Sequence, residues 1–361
     1  MTVLLVLLIL VVLVVVHECG HFVAAKLCGV HVEEFGIGYP PRALTMGHFG
    51  GTEYTLNWLP FGGFVRLFGD EGDKQAGAGA LRNAGRMAQA LILIAGVAMN
   101  VIMGCALFTI AFHIGVPRVV AEESPASYVL VTGVVAGSPA AAAGMRGGDT
   151  ITGITDQHGT ALSVFTPDAI SDFVSQRGGQ NLSISYARAG VANIAHIRPA
   201  HAIILDEANR PALGVGLALV NDTPLSWYES MCAAMVSVRN TGATVTGGLW
   251  RMVTGVFSGK TSMLSEMVGP VGLVKIVGDA AHNGFGNVLA LAGFISVNLA
   301  IINLIPIPAL DGGRIVLLGV EAIRRKDVPR YVVQLLNGVG IICVILLMVV
   351  VTYHDIVRLL M

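Results

Sequence analysis

The chain has 361 residues, 54% hydrophobic and only 12% charged, with a net charge of −1 and a mean hydropathy of +0.73. That composition excludes an ordinary soluble enzyme and reads as an integral membrane protein, and the near-neutral charge gives no footing for a nucleic-acid partner. Cys19, Cys28, Cys105, Cys232 and Cys343 are scattered without any CxxC, so they read as small apolar fillers rather than a disulfide framework or a zinc knuckle.

Four stretches, at about residues 2–25, 88–114, 285–305 and 334–353, are long enough to cross about 30 Å of hydrocarbon as helices. The predicted fold is a polytopic α-helical membrane protein with a membrane-associated β-hairpin or small sheet and an inserted extracytoplasmic PDZ-like, β-rich domain. Its predicted segments are 1–30, 31–87, 88–116, 117–222, 223–283, 284–332 and 333–361.

The first segment, 1–30, carries His17-Glu18-Cys19-Gly20-His21 within an apolar run in which Val3 to Val16 include no charge. On a helix, positions i and i+4 share a face, so two imidazoles can meet one cation with Glu18 beside them, as hydrolysis by a zinc-activated water requires. A short pattern can arise by chance, but three ionisable groups in a spanning helix are expensive unless paired, metal-bound or lining a cavity. No basic residue precedes Lys26, so the segment is expected to be retained rather than cleaved as a signal peptide.

Segment 31–87 holds glycine-punctuated β-prone runs such as Glu53 to Trp58, a hairpin or small sheet. It reads either as a plain cytoplasmic loop or as a sheet edge that pairs with an extended peptide near the metal. A polar, glycine-rich link follows at 70–79. The second span, 88–116, includes Asn100 in the run AGVAMN.

Segment 117–222 has the character of a soluble domain, with strands expected at Tyr128–Thr132, Leu182–Tyr186 and Leu213–Leu217. Residues 133–151 (GVVAGSPAAAAGMRGGDTI) read as strand, turn, short helix and a Gly-Asp turn into another strand, which resembles the centre of a PDZ domain. Two roles are open for it: capture of a peptide by strand addition or by its C-terminal carboxylate, and steric exclusion of bulky partners. In 223–283, Trp227, Tyr228, Met231, Met235, Trp250 and Met252 alternate with polar residues and predict an interfacial helix pair that either anchors or gates.

Segment 284–332 contains Asn303 to Gly313 (NLIPIPALDGG), where Pro306 and Pro308 interrupt the third span. Three readings of Asp311 are open: a helix cap, a salt bridge with Arg314, and a metal ligand. A hydrolytic zinc centre takes three protein ligands and leaves one position for water, so the two histidines of the first span favour the third reading. His31, His48, His113, His282 and His354 have no partner at ligand spacing. The final segment, 333–361, is a span and a tail.

Basic residues set the expected orientation. Lys26, Arg42, Arg66, Lys74, Arg82 and Arg86 follow the first span, and Arg314, Arg324, Arg325, Lys326 and Arg330 precede the last. Both regions are expected in the cytoplasm, and the stretch from about 118 to 284 outside it.

The HExxH-type pentad at 17–21, the segments FGIGYPP at 35–41 and PFGGFV at 60–65, the PDZ-like insert and the NxxPxPxLDG run at 303–312 together resemble the site-2 protease family (peptidase M50). The likeness is strongest to its bacterial RseP/RasP-type branch of intramembrane zinc metalloproteases, and covers nearly the whole chain. It implies that His17, His21 and Asp311 hold one zinc ion, that Glu18 is the general base and that Asn303 contacts the substrate backbone. It also implies that residues 35–69 form a membrane-reentrant β-loop pairing with substrate as a strand. Implied substrates are single-pass membrane proteins already trimmed on their outer side, such as an anti-sigma factor, or remnant signal peptides. The implied location is the lipid bilayer of a bacterial cytoplasmic membrane. Many relatives have a Gly-Pro pair before the Asn of the second span and some carry two PDZ units; this chain has neither, which leaves an active-site-supporting role for Asn100 open and gives no footing for filtering by a tandem PDZ pair. Competing readings are a membrane zinc transporter, which has no need of Glu18, and a catalytically silent PDZ-bearing scaffold, which has no use for the ligand set.

Overall fold

A computed structural model describes residues 1–69, 77–188, 190–201, 210–257, 269–326 and 328–360. The chain divides into two compact units: Met1–His113 together with Ser226–Met361, and the inserted Ile114–Leu225.

Among the described residues the first unit is helical apart from one sheet. Four of its helices are long and apolar enough to cross a membrane: α1 (Thr2–Leu27), α2 (Arg86–Ile114), α7 (Phe285–Leu304) and α9 (Arg330–Leu360, apolar over Tyr331–Val357). Val3, Leu4, Leu8 and Val12 of α1 are exposed on the protein surface. Lipid is as apolar as these side chains, so helix association must come from close packing and polar contacts rather than from burial of oily faces.

The packing shows both devices. Val6, Ile9 and Leu13 of α1 cluster with Val277 of α6 (Pro270–His282) and with Val288 and Ala292 of α7. Between α2 and α7, a methyl built on Gly293 would meet the Gly104 carbonyl at 3.2 Å, and the Ser296 hydroxyl donates to the Asn100 carbonyl oxygen at 2.8 Å. A second cluster, Ala24, Ala25, Val30, Val32, Leu67, Leu81 and Ile92, ties the end of α1 to the sheet and to α2. The two histidines of α1 lie between these clusters.

The sheet consists of β1 (Val32–Phe49) and β2 (Thr52–Leu67), each bent so that its halves lie as separate segments. Residues 32–37 pair with 63–67 on one side and 53–56 on the other, and 52–57 pair in turn with 42–49, leaving 63–67 on an edge. Buried Glu34 accepts from Arg42 at 3.0 Å, Arg66 at 2.9 Å and Thr55 at 2.8 Å, which fixes the central segment. Residues 70–76 of the expected polar link lie outside the described residues.

The expected interfacial pair at 223–283 includes one 31-residue helix, α5 (Trp227–Phe257), and α6, with 258–268 outside the described residues. Trp227, Tyr228, Met231, Met235 and Trp250 are all exposed. After α7, Ile305 turns extended and Ala309 takes a left-handed φ of 80° before α8 (Asp311–Arg324) begins. Two prolines in three residues deny the backbone the donors a continuing helix needs.

The inserted unit is a six-stranded antiparallel sheet in the order β3-β8-β4-β5-β6-β7: β3 (Arg118–Val119), β4 (Tyr128–Val134), β5 (Thr150–Thr155), β6 (Leu182–Arg188), β7 (Val191–Ile197) and β8 (Val215–Asn221). α3 (Pro139–Ala142) is capped by the Ser138 hydroxyl, and Ile170, Phe173 and Val174 of α4 (Pro167–Ser175) fill the core over Val129, Ile151, Leu182 and Ile184. β8 begins two residues later than the sequence suggests. Leu213 and Gly214 remain in a loop because their carbonyls accept from the amides of Ala140 and Val135, and Gly214 sits at φ 80°.

Two buried carboxylates pin the turns of this unit. Asp149 takes both guanidinium arms of Arg188 at 2.7 and 2.8 Å and the Arg146 amide at 2.8 Å. Asp156 takes Arg177 at 2.9 Å and the amides of His158 and Thr160, each at 2.9 Å.

Candidate metal centre

His17 and His21 are one turn apart on α1, buried, and their rings face each other edge to plane at 4.7 Å between centroids. Asp311, 294 residues from His17, is the first residue of α8 and turns its carboxylate onto the same pair. The three ligand atoms form a small triangle: His17 Nε2 to Asp311 Oδ2 3.0 Å, His21 Nε2 to Asp311 Oδ2 3.3 Å, and His17 Nε2 to His21 Nε2 3.1 Å. A tetrahedral zinc site with bonds of about 2.0–2.1 Å places its ligands about 3.3 Å apart, so this triangle fits one face of it. Asp311 and nearby Glu18 bring two negative charges that a divalent cation balances, whereas uncompensated charge at membrane depth is costly. Among the described residues this is the one grouping of three or more His, Cys, Asp or Glu side chains whose ligand atoms converge.

Close backbone approach makes the triangle possible. A methyl on Gly20 would run into the Ala95 carbonyl, and one on Gly96 would land on the His21 ring and within 2.8 Å of His17 Cε1. Gly312 and Gly313 likewise sit against the backbone of 304–308. Only glycine lets α1 meet α2, and α8 meet the end of α7, at this separation.

Glu18 is half-buried, and its carboxylate accepts a hydrogen bond from the Val65 amide. A methyl on Gly63 would lie 3.6 Å from Glu18 Cγ. The sheet edge at 63–67 is therefore laid against the residue next to His17. Asn303 stands in the last turn of α7, half-buried, and makes no hydrogen bond with the trio.

Sequence reasoning left the contribution of α2 open at Asn100 and missed it at Ile92 and Gly96. The carbonyl oxygen of Ile92 accepts from His21 Nδ1 at 2.8 Å, and the Asn100 amide lies 3.3 Å from His17 Nδ1. The signal was present in the spacing: 92, 96 and 100 are four apart, on one helical face, and Asn100 is a lone amide in an apolar span.

A family model described as "Peptidase family M50" matches residues 5–347. The chain belongs to peptidase family M50, the site-2 protease family. A protein of Clostridium perfringens named as a zinc metalloprotease is 32% identical over 342 residues, covering 95% of this chain and 94% of its own length. The chloroplastic membrane metalloprotease of Arabidopsis thaliana is 30% identical, covering 92% of this chain and 74% of its own length. Among solved structures, the PDZ domain of an SdrC-like protein from Listeria monocytogenes matches 27% of this chain and 93% of its own, at 23% identity and a TM-score of 0.22. This M50 peptidase is a zinc metalloprotease of membranes.

Proposed function

We propose that the chain cleaves a peptide bond in or near the transmembrane segment of single-pass membrane proteins, with one zinc ion held by His17, His21 and Asp311. The observation that carries the reading is the ligand triangle lying beside Glu18, whose carboxylate in turn meets a β-edge. When bound, zinc supplies a Lewis acid that lowers the pKa of water to about 7 and draws charge from the scissile carbonyl. Glu18 accepts the proton of the attacking water and afterwards delivers it to the departing amine. His17 and His21 must present neutral Nε2 atoms throughout, and the ring proton of each then sits on Nδ1.

A helical substrate shields its own carbonyls and must unwind before attack. Freed backbone groups in lipid cost several kcal/mol each unless re-paired. The edge at 63–67 supplies partners on one side and the Asn303 amide on another, so the substrate lies as an added strand with its scissile bond over Glu18. Substrates of this kind include an anti-sigma factor trimmed on its outer side and remnant signal peptides. The location is a bacterial cytoplasmic membrane, with 31–87 and the α8–α9 link on the cytoplasmic side, a placement that their basic residues support.

The inserted unit works as a PDZ-like domain outside the cytoplasm. Among the described residues its β3 pairs with Val220 and Asn221, and Val120 beyond it bonds Leu219, so Val215 to Ala218 of β8 lie beyond that pairing, with α4 beside the strand. A peptide ending in a free carboxylate fits this edge by strand addition.

The test is cleavage of a model single-span substrate by the detergent-purified chain with its zinc measured alongside. Glu18→Gln is expected to keep the metal and lose about 10²–10⁴-fold in turnover. Cleavage at the wild-type rate by that variant overturns the assignment.

A further inference from the structure

Asn100 is 1% exposed in the middle of α2. Its Oδ1 is buried without a hydrogen-bond partner among the described residues, while its Nδ2 lies 3.3 Å from His17 Nδ1. Its own backbone carbonyl is engaged by the Ser296 hydroxyl at 2.8 Å, which anchors this turn of α2 to α7. The amide is thus held at the back of the His17 imidazole, on the side away from Asp311, which His17 meets through Nε2.

A metal-ligating imidazole offers one nitrogen's lone pair, so its ring proton resides on the other nitrogen and needs an acceptor. For His21 the acceptor is visible: Nδ1 donates to the Ile92 carbonyl at 2.8 Å, leaving Nε2 for the cation. His17 needs the same service. Among the described residues the polar group at its Nδ1 is the Asn100 amide, whose two ends are nearly equal in size and exchange by a half-turn about the last side-chain bond. With Oδ1 turned to His17, one change satisfies both the orphaned oxygen and the Nδ1 proton. The half-turn carries Nδ2 to the place Oδ1 leaves, so what decides the orientation is the Nδ1 proton, which Oδ1 can accept and Nδ2 cannot.

We infer that Asn100 is a positioning residue for the zinc ligand His17: its Oδ1 accepts the Nδ1 proton and fixes the tautomer that presents Nε2 to the metal. The inference rests on the zinc site assigned above and adds to it a supporting helix, since α2 then holds both histidines through residues 92 and 100, with Gly96 between them admitting the rings. Groups of this kind change metal affinity by about 10- to 100-fold when removed.

The experiment is zinc affinity of the detergent-purified full chain, by competition with a chromophoric chelator, for wild type, Asn100→Leu and Asn100→Asp. Leu keeps the volume and lacks the acceptor; Asp keeps the acceptor. Asn100→Leu is expected to weaken zinc binding about 10- to 100-fold and Asn100→Asp to restore it to within a few-fold of wild type. Thermal unfolding in excess chelator verifies that both variants are folded, and the cobalt-substituted visible spectrum should change in Asn100→Leu and revert in Asn100→Asp. Equal affinity in wild type and Asn100→Leu overturns the inference, as does an Asn100→Asp variant as weak as Asn100→Leu, because either result reduces Asn100 to a packing residue. Failure of the wild-type chain to bind zinc would instead overturn the site itself. If Asn100→Leu does not fold, a ¹⁵N-histidine spectrum of the zinc-loaded wild type decides: Nδ1 of His17 must carry the proton, and a bare Nδ1 refutes the role.

Discussion

Replacing Gly96 by Ala adds a single methyl, and the structure states where it goes: onto the His21 ring and within 2.8 Å of His17 Cε1. Carbon atoms ordinarily approach to about 3.5–4.0 Å, so the rings or the α1–α2 spacing must yield by roughly 0.7–1.2 Å. Zinc–ligand distances tolerate about ±0.2 Å. The displacement is several times larger, so zinc affinity should fall at least about 100-fold, equivalent to about 2.8 kcal/mol. Overpacking by itself costs about 1–3 kcal/mol of stability, and Gly104→Ala separates the two effects. Its methyl would meet Val297 Cγ2 at 2.7 Å in the α2–α7 contact, two turns further along α2. It should lower the unfolding temperature comparably and leave zinc affinity unchanged. Chelator competition and thermal unfolding on the same samples give both quantities. The reasoning is refuted if Gly96→Ala binds zinc within about threefold of wild type, a difference under 1 kcal/mol, or if Gly104→Ala loses as much affinity as Gly96→Ala.

Stripping zinc with a chelator should abolish cleavage and added zinc should restore it; Asp311→Asn should bind zinc more than about 100-fold more weakly, beyond the range of an outer-shell loss, and wild-type zinc content in that variant would remove Asp311 from the ligand set. Val65→Pro deletes the amide that meets Glu18, so turnover should drop while zinc affinity holds; unchanged turnover would show that this hydrogen bond does not orient the base. Model substrates with Gly or Pro near the scissile bond should be cut faster than matched helical ones, and indifference to helicity would count against strand addition at 63–67. The inserted unit should loosen in acid. The Arg177 hydrogen bond, aided by the Thr160 and His158 amides, holds the Asp156 carboxyl at about 2 against an ordinary 3.8. Burial pushes the Asp149 carboxyl up, but Arg188 and the Arg146 amide outweigh it and leave it lowered. Carboxyls depressed by folding stabilise fully above their unfolded pKa and lose that contribution as pH falls through the folded value. Intrinsic-rate-corrected hydrogen exchange in β5 and β6 should therefore speed up between about pH 4 and 2, and Asp156→Asn should flatten that dependence; an identical acid profile in the variant refutes the linkage.

The local pattern determined much of this protein. Spacing of i and i+4 in an apolar run puts His17 and His21 on one face whatever surrounds them, and mostly apolar stretches of about 20 residues favour spanning helices because a helix satisfies its backbone within one segment in lipid. The prolines at 306 and 308 likewise forced the break that α7 shows. Asp311 was legible only as a candidate, since a cap, a salt bridge and a ligand use the same carboxylate. Its convergence with the histidines depends on how α8 leaves the α7 break, a long-range matter that no window of sequence contains. At α2 the four-residue spacing of 92, 96 and 100 was legible but what that face meets was not: Ile92 acts through its carbonyl, which every residue has, and Gly96 acts by lacking a side chain. Which strand segment of β1 and β2 becomes the edge beside Glu18 was also a tertiary decision. The bends that fold two strands into four segments are set by which halves pair, and pairing energy depends on partners brought together from up to 35 residues apart, as Val32 and Leu67 are.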